Sequence, residues 1–190
     1  MAFVHMPGPC PHSNSLDIKY LGVMESPGQD EVDRIVAAWQ VERPDLDTSP
    51  MLVLSRVTRL ARRLDLERRS AFSHHHLEPW EFDVLSSLRR AGAPYSQTPG
   101  ALMNELLVSS GTMTNRIDRL ERAGLVARSP APGDRRAVLV TLTTSGKERV
   151  DSALISLLEC EKGILSPLDE DGAHALGDLL RPLLLPFETD

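Results

Sequence analysis

The segment from Leu106 to Leu142 constrains the fold of this chain more than any other part. Its residue order predicts a helix, a strand, a short Pro/Gly turn that carries a basic cluster, and a second strand. A helix followed by such a β-hairpin is typical of a winged helix-turn-helix, in which the helix enters a major groove of DNA and the wing reaches an adjacent minor groove. The sequence therefore predicts a mainly α-helical fold with a small β-hairpin.

The helix of this segment is expected to run from about Ser109 to Ala123. Ser109 or Ser110 caps its start, and Gly124 is placed to end it in a left-handed conformation. Helical spacing puts one apolar stripe toward the core, formed by Met113, Ile117 and Leu120. The alternative is an ordinary amphipathic helix with a solvated polar face, but the hairpin that follows favours a DNA-reading helix. We expect DNA contacts from Ser109, Ser110, Thr112, Thr114, Asn115, Arg119 and Arg122.

The hairpin is predicted from two short apolar or β-branched runs, Leu125–Arg128 and Ala137–Leu142. Between them, prolines and a glycine favour a turn that ends in three charged residues. Arg135 and Arg136 suit a minor groove, whose negative potential attracts guanidinium groups. Asp134 is expected to pair with an arginine and fix the turn. The alternative for this cluster is a solvated loop.

The formal net charge of the chain is −6, which by itself argues against DNA binding. The distribution of charge matters more than its sum. Between Ser109 and Arg136, six arginines stand against three acids, which gives a local charge of +3. The predicted DNA-reading segment is thus basic within an acidic chain.

Three separated motifs carry a family resemblance: Ser109–Val126, Asp134–Arg136, and Leu142–Gly146. In this order and spacing they resemble the MarR family of transcriptional regulators, over roughly residues 30–186. The resemblance implies an intertwined homodimer that binds a pseudo-palindromic operator in double-stranded DNA, usually as a repressor relieved by a small ligand.

The rest of the chain is expected to form one domain, residues 29–190, behind a disordered or loosely held tail, residues 1–28. The winged helix-turn-helix is predicted at about 78–146. Further helices are predicted at 30–41, 50–72, 78–90, 98–107, 144–160 and 169–184. The resemblance assigns dimerisation to the helices within 30–72 and 144–187.

Three side chains have unusual positions in the predicted helices. Asp83 lies in a helix whose apolar residues point in most directions, so this carboxylate risks burial and needs a partner. Arg116 projects between the core face and the DNA face of its helix. Trp39 lies on an apolar stripe, where it offers a flat surface and an indole donor.

A urate-responsive subgroup of the MarR family is especially similar to this chain, and its ligand residues correspond to Trp39, Asp83, Arg116 and Arg128. The resemblance implies a small anionic effector, urate or a related compound. Arg116 would pair with an anionic oxygen, Trp39 would stack on a purine, and the anion would repel Asp83. The alternatives are a structural Asp83–Arg116 ion pair with Trp39 in the core, and a regulator that senses another organic acid, a phenolic compound or an oxidant.

Other functions find little support in the residues. No catalytic constellation or cofactor motif is present, so an enzyme is not expected. The histidines 74–76 favour a solvated loop or helix end over a metal site, and Cys10 and Cys160 favour inert thiols over redox sensing. No apolar run reaches the roughly 18 residues of a membrane span, and no secretory signal precedes the domain. A cytoplasmic location is therefore expected.

Overall fold

The computed structural model describes residues 28–131 and 133–188, and within residues 134–136 it describes the backbone but not the side chains. The predicted tail, apart from Gly28, lies outside the described residues, and so does Cys10. The described residues form two compact units, one that ends at Arg63 and one that begins at Leu64.

The first unit contains helix α1, Glu31–Glu42, and the beginning of helix α2, Ser49–Ser73. Asp30 caps α1 by accepting hydrogen bonds from the backbone N–H groups of Val32 and Asp33. The guanidinium of Arg56 on α2 then donates to Asp30 at 2.8 Å and to Asp33 at 2.7 Å. The cap of one helix is therefore tied to the side of the next.

The apolar stripe predicted for α1 is only partly buried. Val32 and Val36 are enclosed, whereas Trp39 is 49% exposed. Trp39 lies near the end of α1, one turn beyond the buried Val36. Its indole thus keeps a large surface that this unit does not cover.

The second unit consists of helices arranged around a small sheet. Its elements, in chain order after the end of α2, are α3 (Pro79–Arg90), β1 (Ser96–Gln97), α4 (Pro99–Leu106), α5 (Ser110–Arg122), β2 (Val126–Ala131), β3 (Asp134–Leu142), α6 (Thr144–Leu165) and α7 (Glu170–Leu184). The side chains of one cluster are almost completely enclosed, among them Phe72, Leu85, Leu88, Leu102, Met113, Ile117, Leu120, Leu125 and Val140. The apolar stripe predicted for the helix at 109–123 therefore faces this core, as expected.

The sheet is larger than the predicted hairpin. Strand β3 lies between β1 and β2, antiparallel to both, with Ser96 opposite Thr141 and Arg128 opposite Val140. The short strand β1, in a segment predicted as a loop, was missed. The turn was also predicted too long, since β2 extends to Ala131 and β3 begins at Asp134. Pro130 is compatible with β2 because β2 is an edge strand, whose outer side has no neighbour in the described sheet.

Gly146 allows the start of α6 to approach Leu125, the residue directly before β2. A Cβ at this position would lie 2.0 Å from the carbonyl oxygen of Leu125. Thr143, the cap of α6, accepts a hydrogen bond from the N–H of Gly146 and donates its hydroxyl to the carbonyl of Gly124 at 2.8 Å. The Leu142–Gly146 motif thus has a structural reason: only glycine fits at position 146, where α6 begins.

Helix α7 is amphipathic but buries none of its side chains. The apolar residues at the C-terminal end of the described chain stay exposed, including Leu179, Leu183, Leu184, Leu185 and Phe187. Within the described residues, no helix is both long and apolar enough to cross a membrane.

Candidate nucleic-acid interface and ligand site

Helices α4 and α5 form the predicted helix-turn-helix pair. The chain turns between them at Leu107, which adopts a left-handed conformation with φ of 50°. Ser109 then caps α5: its hydroxyl accepts from the backbone N–H of Thr112 and also bonds the Thr112 hydroxyl at 2.9 Å. Gly124 follows α5 with φ of 71°, as predicted for a left-handed helix end.

The face of α5 opposite the core is polar and open to solvent. Six of the residues predicted to contact DNA are exposed on or next to it: Ser110, Thr112, Thr114, Asn115, Arg119 and Arg122. Ser109 is exposed as well, but its hydroxyl already serves the helix cap. Arg122 is exposed and donates from Nε to the carbonyl oxygen of Asp118 at 3.2 Å. The helix therefore presents donors and acceptors of the kinds that read base edges and phosphates.

Arg119 is held by two residues that sequence reasoning did not identify. Its Nη2 donates to Oε1 of Glu78 at 3.1 Å, and its guanidinium lies 4.6 Å from the centre of the Trp80 ring. The second carboxylate oxygen of Glu78 accepts the indole N–H of Trp80 at 2.6 Å. The pKa of Glu78 is lowered, first by the Trp80 hydrogen bond and then by Arg119. One signal was available: glutamate is not a preferred residue at the position before a helix, where Glu78 precedes α3.

Arg128 connects the first wing strand to α5. Its guanidinium donates to Asp118 and, at 2.7 Å, to Glu121, and its backbone N–H donates to Glu121 at 3.0 Å. Two of the three acids counted in the basic segment are thus engaged by one arginine. Arg128 was predicted as a ligand residue; in the structure an anion would have to compete with two carboxylates for it.

The tip of the wing carries the remaining predicted DNA contacts. The backbone of Asp134, Arg135 and Arg136 belongs to β3, at the start of the returning strand. Their side chains lie outside the described residues. Their expected roles, minor-groove contact for the two arginines and turn fixation for Asp134, therefore stay predictions.

Asp83 has a partner, as expected, but this partner is not Arg116, which the alternative of a structural ion pair required. Its carboxylate accepts from Nη2 of Arg68 on α2 at 3.3 Å, and both side chains are about two-fifths exposed. Within the described residues, no ion pair joins Asp83 to Arg116. Arg68 could not be singled out from the sequence, because α2 contains many arginines and the turn between α2 and α3 decides which of them reaches Asp83.

Asp83 and Arg68 line a cavity of about 320 Å³ between α3 and α6. Its walls combine apolar side chains, among them Phe82, Leu154 and Leu157, with the arginines Arg68, Arg89 and Arg90 and the carboxylates of Asp83 and Asp151. Arg89 pairs with Asp151 at 2.9 Å, and Arg90 pairs with Glu105 at 2.6 Å. Apolar walls with arginine donors suit a small aromatic or aliphatic anion that competes with these carboxylates.

The four predicted ligand residues are not brought together as one cluster within the second unit. Arg116 lies with its guanidinium 5.6 Å from the centre of the Trp80 ring, on the side of α5 near Arg119. Arg116 and Arg128 are absent from the described lining of the cavity beside Asp83. Trp39 belongs to the first unit.

The histidines 74–76 occupy the turn between α2 and α3, as expected for a helix end. His75 is the partly buried member, and its Nε2 lies 2.8 Å from the hydroxyl of Ser156 on α6. Burial lowers the pKa of His75, and the neighbouring His74 and His76 lower it further. This turn therefore packs against α6 through one histidine.

Known proteins similar to this chain cover most of its length. The HTH-type transcriptional regulator PecS of Dickeya dadantii is 42% identical over 150 residues, which are 79% of this chain and 90% of that protein. The model of the MarR family matches residues 77–138, the part that contains the helix-turn-helix and most of the wing. This chain belongs to the MarR family.

Two further relatives of this MarR-family chain agree with the assignment. The HTH-type transcriptional repressor NicR of Pseudomonas putida is 30% identical over 143 residues, 73% of this chain and 89% of that protein. A crystal structure of a mutant MarR from Escherichia coli, complexed with operator DNA, superimposes with a TM-score of 0.60 at 29% identity and covers 73% of this chain and 99% of that one. The chain is accordingly a DNA-binding transcriptional regulator and not an enzyme, and the winged helix-turn-helix is confirmed.

Proposed function

We propose that this regulator is a homodimeric repressor that binds a palindromic operator through α5 and the wing. The exposed polar face of α5, held between an enclosed apolar stripe and the wing, is the observation that carries this proposal. NicR is a repressor by name, and the MarR structure contains operator DNA. In the proposed complex, Asn115 and Arg119 read bases, while Arg135 and Arg136 contact the minor groove.

Dimerisation is supported by the aliphatic surface that the second unit leaves open. Leu154, Ile155 and Leu158 on α6 are exposed, as are Leu179 and Leu183 on α7. Surfaces of this kind on adjacent helices mark interaction sites in soluble proteins. We infer that a second copy covers them, so that residues 30–72 and 144–187 supply the dimer interface and residues 78–146 the DNA-binding part of one domain, 29–190.

The DNA proposal is tested by fluorescence anisotropy with the promoter of the regulator's own gene and a random duplex of equal length. Arg119→Ala should reduce the preference for the promoter by about 1–3 kcal/mol, because one base contact is lost. The matched control is Arg69→Ala, which removes an equal charge from an exposed ion pair on α2. A wild-type protein that binds both duplexes equally would refute the repressor proposal.

We further propose that a small anionic effector, urate being the first candidate, releases the protein from its operator. The Asp83–Arg68 pair at the cavity between α3 and α6 supports an anion site, since an anion near Arg68 would displace the Asp83 carboxylate. In the urate version, Trp39, Arg116 and Arg128 complete the site by stacking on and pairing with the ligand. Movement of Asp83 would then bias the position of α5 and hence the spacing between the two α5 helices of the dimer.

One observation favours a second version of this proposal, in which another organic acid or a phenolate binds without a urate site. The cavity beside Asp83 has arginines of its own in its wall, Arg68, Arg89 and Arg90, and its described lining contains neither Arg116 nor Arg128. An oxidant would require an accessible thiol; within the described residues Cys160 is buried, and Cys10 lies outside them. The organic-acid version is therefore the stronger alternative.

Titration of the operator complex with urate and, separately, with benzoate distinguishes the two versions. If the urate site exists, urate should release the DNA, and Arg116→Ala should raise the required urate concentration by at least ten-fold through loss of a charge-assisted hydrogen bond. If the cavity alone binds the effector, Arg68→Ala should abolish release while Arg116→Ala leaves it unchanged. Release by neither compound would count against both.

A further inference from the structure

The contacts of Arg119 suggest how this regulator discriminates bases from phosphates, and the inference rests on the proposed role of Arg119 in base reading. Glu78 and Trp80, both at the start of α3, engage this one side chain on the DNA-facing helix. The carboxylate of Glu78 is fixed at both oxygens, by Arg119 and by the indole N–H of Trp80. It therefore holds Arg119 in one orientation.

A guanidinium held in this way keeps most of its hydrogen-bonding capacity. Arginine has five N–H donors in a planar arrangement, and the contact with Glu78 uses Nη2. The remaining donors can form a bidentate contact with the O6 and N7 atoms of guanine. Because the side chain is already oriented, less conformational entropy is lost when that contact forms.

Glu78 also places a negative charge beside the DNA-facing side chain. A carboxylate 3.1 Å from Arg119 cancels much of the attraction that this arginine would exert on any phosphate. The carboxylate itself repels phosphates, and repulsion of unwanted partners is a recognised source of specificity. A base edge carries no negative charge, so the Glu78 carboxylate does not repel it from Arg119.

We propose that Glu78, with Trp80, is a positioning and specificity-determining residue that reserves Arg119 for bases and lowers the affinity of the protein for non-operator DNA. The nearby Arg116 guanidinium also lies over the Trp80 ring but has no acidic partner within the described ion pairs. The Glu78 carboxylate thus acts on only one of these two neighbouring arginines of α5.

The test compares dissociation constants for the operator and for a random duplex in wild type and Glu78→Gln. Loss of the charge should tighten binding to the random duplex by about three- to ten-fold and tighten operator binding less, so that the operator preference falls. Glu148→Gln is the matched control, because it removes an equal charge from an exposed position on α6 of the same unit. The control should leave the preference within two-fold of wild type.

A second variant guards against a folding defect at the start of α3. Glu78→Asp keeps the charge and introduces a residue preferred before a helix, but its carboxylate is one methylene too short to reach Arg119. It should fold like wild type in a thermal melt and still lose operator preference by about two- to five-fold. Wild-type preference in Glu78→Asp would overturn the positioning role.

A double variant shows whether Glu78 acts through Arg119. In an Arg119→Ala background, Glu78→Gln should change the operator preference by less than two-fold, because the side chain that it positions is absent. An undiminished effect in that background, or no effect of Glu78→Gln in the wild type, would overturn the proposal. A wild type without operator preference, or an Arg119→Ala variant with unchanged preference, would instead refute the proposed function.

Discussion

Helices α5 and α7 share a pattern but differ in what covers them. Both are strongly amphipathic. The stripe of α5 is enclosed, with Ile117 only 1% exposed, whereas α7 leaves Leu179 71% exposed. An apolar stripe therefore specifies that a helix needs a partner surface, and it does not specify whether that surface belongs to the same chain. The comparison separates the part of the molecule that is complete in one chain from the part that we propose is completed by a second copy.

Deletion of Leu179–Asp190 is the largest test of this difference. It should remove part of the apolar surface through which we propose that two copies associate, so that the aliphatic surface of α6 stays uncovered and the protein is monomeric. A monomer should not bind the operator, because it has one α5 helix for two half-sites. Sedimentation equilibrium and anisotropy with operator DNA measure the two effects. A truncated protein that still binds as a dimer would show that α7 is dispensable and that its exposed face serves another purpose.

The next largest effect is expected from the enclosed stripe. Ile117→Ala should lower the free energy of unfolding by about 2–5 kcal/mol, because it leaves a cavity in a tightly packed core. The counterpart in α7, Leu179→Ala, should change subunit stability far less and weaken dimerisation instead. Urea unfolding and sedimentation equilibrium of both variants measure these effects. If Ile117→Ala and Leu179→Ala lowered the free energy of unfolding equally and neither changed dimerisation, the proposed difference between α5 and α7 would be wrong.

A third test concerns the close approach between Gly146 at the start of α6 and Leu125, the residue directly before β2. Gly146→Ala should destabilise the protein by about 1–3 kcal/mol, because its methyl group would collide with the backbone of Leu125. Gly163→Ala on the same helix is the matched control, since nothing lies within 4 Å of a Cβ there. The control should be neutral or stabilise by up to about 1 kcal/mol. Thermal melts of the two variants give the comparison.

The smallest effect is a pH dependence that arises in the polar contacts between α3 and α4. Glu105 accepts hydrogen bonds from Ser87 and Arg90, each at 2.6 Å. These bonds, that of Ser87 first, lower the pKa of Glu105 from its ordinary value of 4.5. Because the pKa of Glu105 is lower in the folded protein than in the unfolded chain, its hydrogen bonds contribute fully to the free energy of unfolding above the unfolded-state pKa. This contribution is lost as the pH falls through the folded-state pKa.

Glu105→Gln removes this titration, so its destabilisation relative to wild type should be greatest near pH 6 and should shrink in acid. Urea unfolding at pH 6 and pH 3.5 measures the change. A constant difference across that range would show that the carboxylate does not titrate with folding. Helix α7 offers no corresponding contact to an element outside itself within the described ion pairs, since Arg181 pairs only with Asp178.

The sequence alone was sufficient for most of the helices and for the apolar face of α5. Helical spacing identified the enclosed stripe of α5, Ser109 and Gly124 marked its ends, and separated motifs in the right order carried the family assignment. These features depend on residues close to one another in the chain, so local patterns suffice to predict them. Strand β1 was missed because two residues have no periodicity of their own and are defined by their pairing with β3.

The tertiary structure decided which charged side chains meet. Asp83 pairs with Arg68 and not with Arg116, its partner in the alternative of a structural ion pair, while Glu78 engages Arg119 across 41 positions of sequence. Ion pairs between distant segments depend on how helices are rotated against one another and on turns such as that at residues 74–76. The same residue types fit many pairings, because charge attraction has little directional preference. Sequence therefore determined the fold and family of this regulator, and only packing in three dimensions selected the partners of its charged side chains.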